Sequence, residues 1–156
     1  MNIHLTPFTD ADMLQFITWL GTDHIKPWYS PIENWIDEVS KREDEYSWVQ
    51  HYIIYADEIP IGFCQYYPYW MGGEDWHGSI PVKETYSVDY LIGDVNFLRK
   101  GCASAALKIL NSMIFSSTST KRIIVQPDQE NNASQKTLLS AGYRYDEDNK
   151  LYILER

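Results

Sequence analysis

The sequence predicts an α+β chain in which a mixed sheet carries helices on both faces, in the order β-α-α-β-β-β-α-β-α-β-β. Three observations lead there. Two helical stripes follow one short opening strand; two β-branched and aromatic segments meet across a two-residue break; and the second half alternates strand and helix before a final strand pair. At 156 residues, 44% hydrophobic and 15% aromatic, the chain can build one sizeable core and is short for two, so a single domain over residues 1–156 is expected.

Ile3 to Phe8 reads as the opening strand, ending at a Thr9/Asp10 helix cap. Met13, Phe16, Ile17 and Leu20 then recur at helical spacing, and Gly21 closes that helix. A second helix starts near Ser30 and Pro31, with Ile32, Trp35, Ile36 and Val39 as its apolar stripe before the charged stop KREDE. Trp48 to Ala56 and the IPIGFCQYY segment, separated at Asp57-Glu58, form a hairpin. Between Pro68 and Pro81 the Gly- and Trp-rich stretch has neither period and reads as a long mobile loop, of a length that is usually functional. Tyr86 to Gly93 is a strand leading into a helix whose face is Ala103, Ala106, Leu107, Leu110, Met113 and Ile114. Arg122 to Pro127 is a buried strand, Asn131 to Ala141 a helix capped by Gly142, and Tyr143–Glu147 with Leu151–Glu155 the closing pair.

Composition excludes several classes. A net charge of -9, from 22 acids against 13 bases, disfavours a phosphate-binding surface for nucleic acid and suits a cationic partner. No run approaches the roughly 18 to 20 apolar residues of a membrane span, and MNIHLTPFTDAD lacks the basic-then-apolar order of a signal peptide. A cytoplasmic protein with no membrane partner is therefore expected, as monomer or homodimer. Cys64 and Cys102 show no CxxC spacing and no neighbouring histidine cluster, so neither a disulfide scaffold nor a metal site is expected.

The informative stretch is a strand, then Leu98-Arg99-Lys100-Gly101-Cys102-Ala103-Ser104, then a helix. A helix N-terminus offers unpaired amides and about half a positive charge, which suits a phosphate anion. Gly101 and Ala103 lack the bulk that would keep an anion away, and Arg99 and Lys100 add charge at the rim. An ordinary helix start with small residues is the competing reading of the same stretch.

This stretch resembles the Q/R-x-x-G-x-G/A signature of the GNAT superfamily of acyl-CoA N-acyltransferases, with Leu98 in place of the usual Gln or Arg. The element order, Asn131 and Ala141-Gly142-Tyr143 are also similar to that family. Within it the chain is most similar to the aminoglycoside 6'-N-acetyltransferase branch, through Trp19-Leu20, His24-Ile25 with Trp28, Ile59 to Phe63, Gly73 to Trp76, Val88 to Leu91, Leu98 to Ser104, and Gln126-Pro127. The resemblance implies a mostly antiparallel central sheet and acetyl-CoA as cofactor. It implies a pantetheine arm along Leu91, Ile92 and Gly93, a pyrophosphate on Leu98 to Ser104, and a cofactor contact at Asn131. A substrate amine would attack the thioester directly.

Asp89 stands where that branch has a carboxylate proposed as base. An alkylammonium of pKa about 10.4 cannot attack, and a carboxylate at its unperturbed value of roughly 3.9 is a poor match for removing the proton. Binding the cation, relaying a proton through water, or taking one from the far more acidic tetrahedral adduct suits Asp89 better; a carboxylate merely satisfied by a backbone amide or an Arg is the competing reading. The family's usual acid, a tyrosine four residues before the Gly of its Gly-Phe end, is replaced here by Leu138. Trp28, Tyr66, Tyr67, Trp70, Glu74, Asp75 and Trp76 supply the aromatic faces and carboxylates expected of a site for a small cationic amine, and for Tyr66 and Trp70 a hydrophobic edge under the long loop is an equal reading. Asp128 and Asp146 lie near positions acidic in that branch, but Gln126 replaces its aspartate before the proline. A hydroxylamine, amino acid or protein amine as acceptor stays open, and so does an acyl-CoA-binding module without catalysis.

Overall fold

The computed structural model describes residues 1–156. Its strands are β1 (Ile3–Pro7), β2 (Gln50–Ala56), β3 (Ile59–Pro68), β4 (Thr85–Ile92), β5 (Arg122–Val125), β6 (Arg144–Asp146) and β7 (Leu151–Glu155); its α-helices are α1 (Met13–Leu20), α2 (Ile32–Ser40), α3 (Cys102–Ser117) and α4 (Asn132–Ser140). The element order is the predicted one. The strands form one sheet in the order β1-β2-β3-β4-β5-β7-β6. Only the β4–β5 pair is parallel.

Each face of the sheet has its own core. On one, α1 and α2 bring Phe16, Trp19, Leu20 and Val39 onto Ile53, Phe63 and Leu91. Phe16 and Phe63 meet ring to ring with centroids 4.5 Å apart. On the other, Leu107, Leu110 and Ile114 of α3 pack with Ile54, Cys64, Tyr66 and Val88. Burying each such aliphatic side chain contributes about 2 kcal/mol. Alternation along β3 therefore divides its residues, with Phe63 under α1 and α2 and Cys64 and Tyr66 under α3.

Two boundaries differ from expectation for local reasons. The first strand stops at Pro7, and Phe8 is buried in the core. Thr9 then forms a capping box with Asp12 around a short 3-10 turn, Asp10–Asp12, before α1 begins. The segment expected as a mobile loop is tied to the sheet. It opens with a turn over Tyr69–Met71, buries Tyr69 completely, and donates from Ser79 N–H and Oγ to Asn149 Oδ1 at 2.7 and 3.0 Å. No helix is long and apolar enough to cross a membrane.

One feature of the sheet positions the site. Thr85, Tyr86 and Ser87 pair in parallel with Arg122, Ile123 and Ile124, and the Ser87 hydroxyl donates to the Ile124 carbonyl at 2.7 Å. Beyond that point β4 continues along β3 as far as the Gly62–Ile92 pair, whereas β5 ends at Val125, paired with Tyr152 of β7. From Val88 onward β4 and β5 part, leaving a wedge in the sheet.

Candidate active site

A cavity of about 820 Å³ opens at this wedge, lined by β4 from Val88 to Ile92, the end of β5, the loop before α3, and the first turns of α3 and α4. A smaller one of about 460 Å³ lies among α2, the start of β2, β3 and the Gly72–Glu74 segment. Asp89 and Trp35 line both. Asp89 thus stands where the two cavities meet.

The wedge has the features that an anion needs. Gly101 holds a left-handed backbone, φ 78°, as the N-cap of α3, and nothing lies within 4 Å of where its Cβ would stand. A β-carbon is strained there, and the space belongs to the cavity. Ala105 N–H bonds Gly101 C=O at 3.0 Å, which leaves the amides of Cys102, Ala103 and Ser104 without an intrahelical partner, facing the positive end of a 16-residue helix. Leu98, Arg99, Gly101, Cys102, Ala103 and Ser104 all line the cavity. Asn131 lines it too while capping α4, its Oδ1 accepting from Ser134 N–H at 3.1 Å. Cys102 is the first residue of α3 and is buried; burial pushes its thiol up, partly offset by Lys100.

The smaller cavity is acidic. Glu38, Glu74 and Asp89 line it with Trp35, Tyr46, Trp48 and Tyr67, and no lysine or arginine does. Burial raises Asp89 from its ordinary 3.8 to about 7, with the Glu38 and Glu74 charges adding to the rise and a hydrogen bond from Gln65 opposing it. That bond, Gln65 Nε2 to Asp89 Oδ2 at 2.9 Å, joins directly paired residues of β3 and β4. Gln65 is 2% exposed, and its Oε1 has no hydrogen-bond partner. Glu74 accepts from the Tyr67 hydroxyl at 2.9 Å, and burial raises its carboxyl as well. Glu38 is anchored from behind by buried His51, Nε2 to Oε1 at 3.1 Å. No Arg or Lys pairs with Asp89; its side-chain hydrogen bond comes from Gln65.

A family model described as an acetyltransferase (GNAT) domain matches residues 7–151. The chain belongs to the GNAT acetyltransferases. It is 22% identical over 152 residues to the aminoglycoside N(6')-acetyltransferase type 1 of Klebsiella pneumoniae and to that of Serratia marcescens, spanning 91% of this chain and 74% of each relative. Among solved structures, AAC(6')-Ib in complex with ribostamycin and coenzyme A superposes with a TM-score of 0.82 at 20% identity, covering 100% of this chain and 94% of that one. Mycobacterium smegmatis RimJ in complex with CoA-disulfide superposes with a TM-score of 0.72 at 16% identity, covering 98% and 81%.

Within this GNAT fold several residues expected at the site stand elsewhere. Tyr66 faces the α3 core, its ring 6.2 Å from Tyr52 and 6.0 Å from Tyr86; its neighbour Tyr67 takes the cavity position instead. Asp75 and Trp76 line neither cavity, and Trp76 packs edge-on against Tyr69 at 4.9 Å. Glu74 alone of that trio reaches the site. Gly93 is committed to structure: its amide bonds Ile61 C=O at 2.8 Å, and a Cβ there would fall 2.0 Å from the Trp19 ring. Lys100 sits over the Phe97 ring at 5.7 Å, outside the cavity lining. Trp28 lines the wedge and not the acidic cavity. Glu38, Trp35, Tyr46, Trp48 and Gln65 were missed. Their only sequence signal is Trp35 and Glu38 one turn apart on α2, with Trp35 expected in the apolar stripe of that helix.

Proposed function

We propose that the chain transfers an acetyl group from acetyl-CoA to a primary amine of a small cationic acceptor, with the donor in the wedge and the acceptor in the acidic cavity. The observation that carries this reading is the position of Asp89 at the junction of the two. The wedge suits the donor because three free amides and Arg99 can neutralise a pyrophosphate, and because β4 beyond Ser87 has no partner strand on its β5 side, which leaves room for an extended arm. Acetyl-CoA supplies an activated acyl carbonyl; the rest of the work falls to the protein.

Glu38 and Glu74 attract the cationic acceptor, and the aromatic walls hold its apolar and cationic faces. Gln65, on the cavity wall, donates its amide N–H to Asp89 and holds that carboxylate in place. Asp89, at about 7, is a far better proton acceptor than an ordinary carboxylate near neutral pH, so it can take the proton that the attacking nitrogen must lose. The expectation of a mismatched base rested on an unburied value.

An aminoglycoside is the first acceptor to test, given the two relatives at 22% identity over 91% of this chain. The experiment measures thiol release from acetyl-CoA over aminoglycosides, linear polyamines, neutral amines and a peptide N-terminus. The expected result is turnover with acceptors carrying two or more ammonium groups and little with neutral ones. Tight acetyl-CoA binding without thiol release from any amine would replace this reading with a non-catalytic binding module.

A further inference from the structure

The wedge also holds a pair of hydroxyls. Tyr90, next to Asp89 on β4, and Ser134, in the first turn of α4, stand with their oxygens 2.5 Å apart, and both line the cavity. Alternation along β4 puts Tyr90 on the face opposite Asp89. The two groups share two protons. Their mutual bond uses one, and the only other partner is the Ser134 carbonyl, 3.3 Å from the Tyr90 oxygen and a weak acceptor at that length. The second O–H is held only by this long bond and can turn into the wedge.

Two other donors beside β4 are taken. His24 Nε2 bonds Ile92 C=O at 2.8 Å, and the Tyr29 hydroxyl donates to Tyr90 C=O. Leu138, one turn after Ser134, is fully buried and has no proton to offer. Burial keeps the Tyr90 phenol protonated well beyond its ordinary range, so it remains a donor throughout neutral pH. The bond from Ser134 N–H to Asn131 Oδ1, 3.1 Å, fixes the serine at the cleft wall.

We propose that Tyr90 and Ser134 together hydrogen-bond the thioester sulfur of the acyl donor and stabilise the thiolate as it departs. This inference rests on the acetyl-CoA reading. In the reaction the amine nitrogen forms a bond to the carbonyl carbon, the carbon–sulfur bond breaks, and its electron pair moves to sulfur. The acceptor's ammonium gives one proton to solvent before attack, and the second proton, lost by nitrogen after the new bond forms, goes to Asp89. Sulfur leaves as a thiolate, hydrogen-bonded by the hydroxyl pair, and is protonated by water after release, so neither hydroxyl changes its proton count.

The test follows the ionisation of the thiol of CoA bound to the intact protein, by thiolate ultraviolet absorbance against pH, in the wild type, Tyr90→Phe and Ser134→Ala. A hydrogen bond to the charged form favours it. The thiol should ionise about one pH unit lower on the wild type than on Tyr90→Phe, a roughly tenfold difference in thiolate at fixed pH. Turnover with acetyl-CoA should fall about 10- to 100-fold in that variant with donor KM nearly unchanged. Identical titrations in wild type and both variants would overturn the assignment, and Ser134→Ala supplies the same readout should Tyr90→Phe fold poorly. Failure of the wild type to bind CoA at all would instead remove the acetyl-CoA reading on which the proposal stands.

Discussion

Replacing Asp89 by Asn should make the protein more stable and nearly inactive at once. The carboxyl titrates at about 7 in place against 3.8 ordinarily, chiefly because it is buried. At about 1.4 kcal/mol per pH unit, holding it ionised costs the fold at most about 4 kcal/mol. Residual solvent contact screens part of that, so about 2 to 4 kcal/mol is expected. The sign follows from the raised value. Below pH 3.8 the group is protonated both folded and unfolded, and the native protein carries no cost. Between 3.8 and about 7 the unfolded chain releases the proton while the folded one keeps it, and stability falls as pH rises. Above 7 the whole cost is present.

Asn has the same shape and keeps a partner in Gln65, so Asp89→Asn removes the charge and little else. Urea denaturation at several pH values measures the outcome. At pH 8 the variant should be more stable by about 2 to 4 kcal/mol, and a domain of this size would gain roughly 5 to 15 °C in Tm. The gain should shrink toward zero near pH 4. Turnover should fall about a hundredfold or more, with acetyl-CoA affinity preserved. A variant less stable than wild type at pH 8, or a gain that does not change with pH, would refute the burial argument. Unchanged turnover would remove Asp89 from the chemistry.

The same site yields further expectations. In the wild type, kcat/KM for a cationic acceptor should rise with pH through about 7 as Asp89 ionises, and Asp89→Asn should lose that limb. Because the Glu38 charge helps raise Asp89, Glu38→Gln should move the midpoint of that limb to lower pH and weaken a polycationic acceptor by about tenfold, without affecting acetyl-CoA binding by calorimetry. Gly101→Val should weaken acetyl-CoA binding at least about tenfold, since its side chain enters open cavity and its backbone is left-handed at φ 78°; normal affinity would displace the pyrophosphate from this loop. Gly93→Ala should cost roughly 1 to 3 kcal/mol in thermal or urea unfolding, because Trp19 must move to admit the methyl group.

Helices and strands were legible because their periods are local. Leu107, Leu110 and Ile114 recur at helical spacing and are all buried, as expected. Which face of a strand meets the site was not legible where both faces are covered. In β3 every residue from Ile61 to Tyr67 is buried, so no alternation marks Tyr67 off from Tyr66, and a step of one residue separates a cavity wall from the opposite core. The pairing of Gln65 with Asp89 settles the parity, and it is a long-range fact. Glu38 escaped for another reason. Its i,i+3 relation to Trp35 is visible, but only the docking of α2 over the sheet turns that face inward. The wedge depends on β5 ending early at Val125 while β4 continues to Ile92, a comparison between segments more than thirty residues apart.

The wedge explains why one strand can serve both halves of the proposed reaction. Successive β4 side chains point to opposite faces, so Asp89 enters the acidic cavity while Tyr90 meets Ser134 beneath α4. The backbone between them borders the same opening. Proton removal from the amine and stabilisation of the leaving sulfur are thereby assigned to adjacent residues on opposite faces of the sheet, and neither group crowds the other. The divided placement also separates their electrostatics. In the proposed arrangement three carboxylates would surround the cationic acceptor, whereas the donor's phosphates would meet the helix amides and Arg99 that line the wedge. Mixing these two environments would set acids against phosphates. The parting of β4 and β5 lets one sheet keep them apart while their contents meet at Asp89.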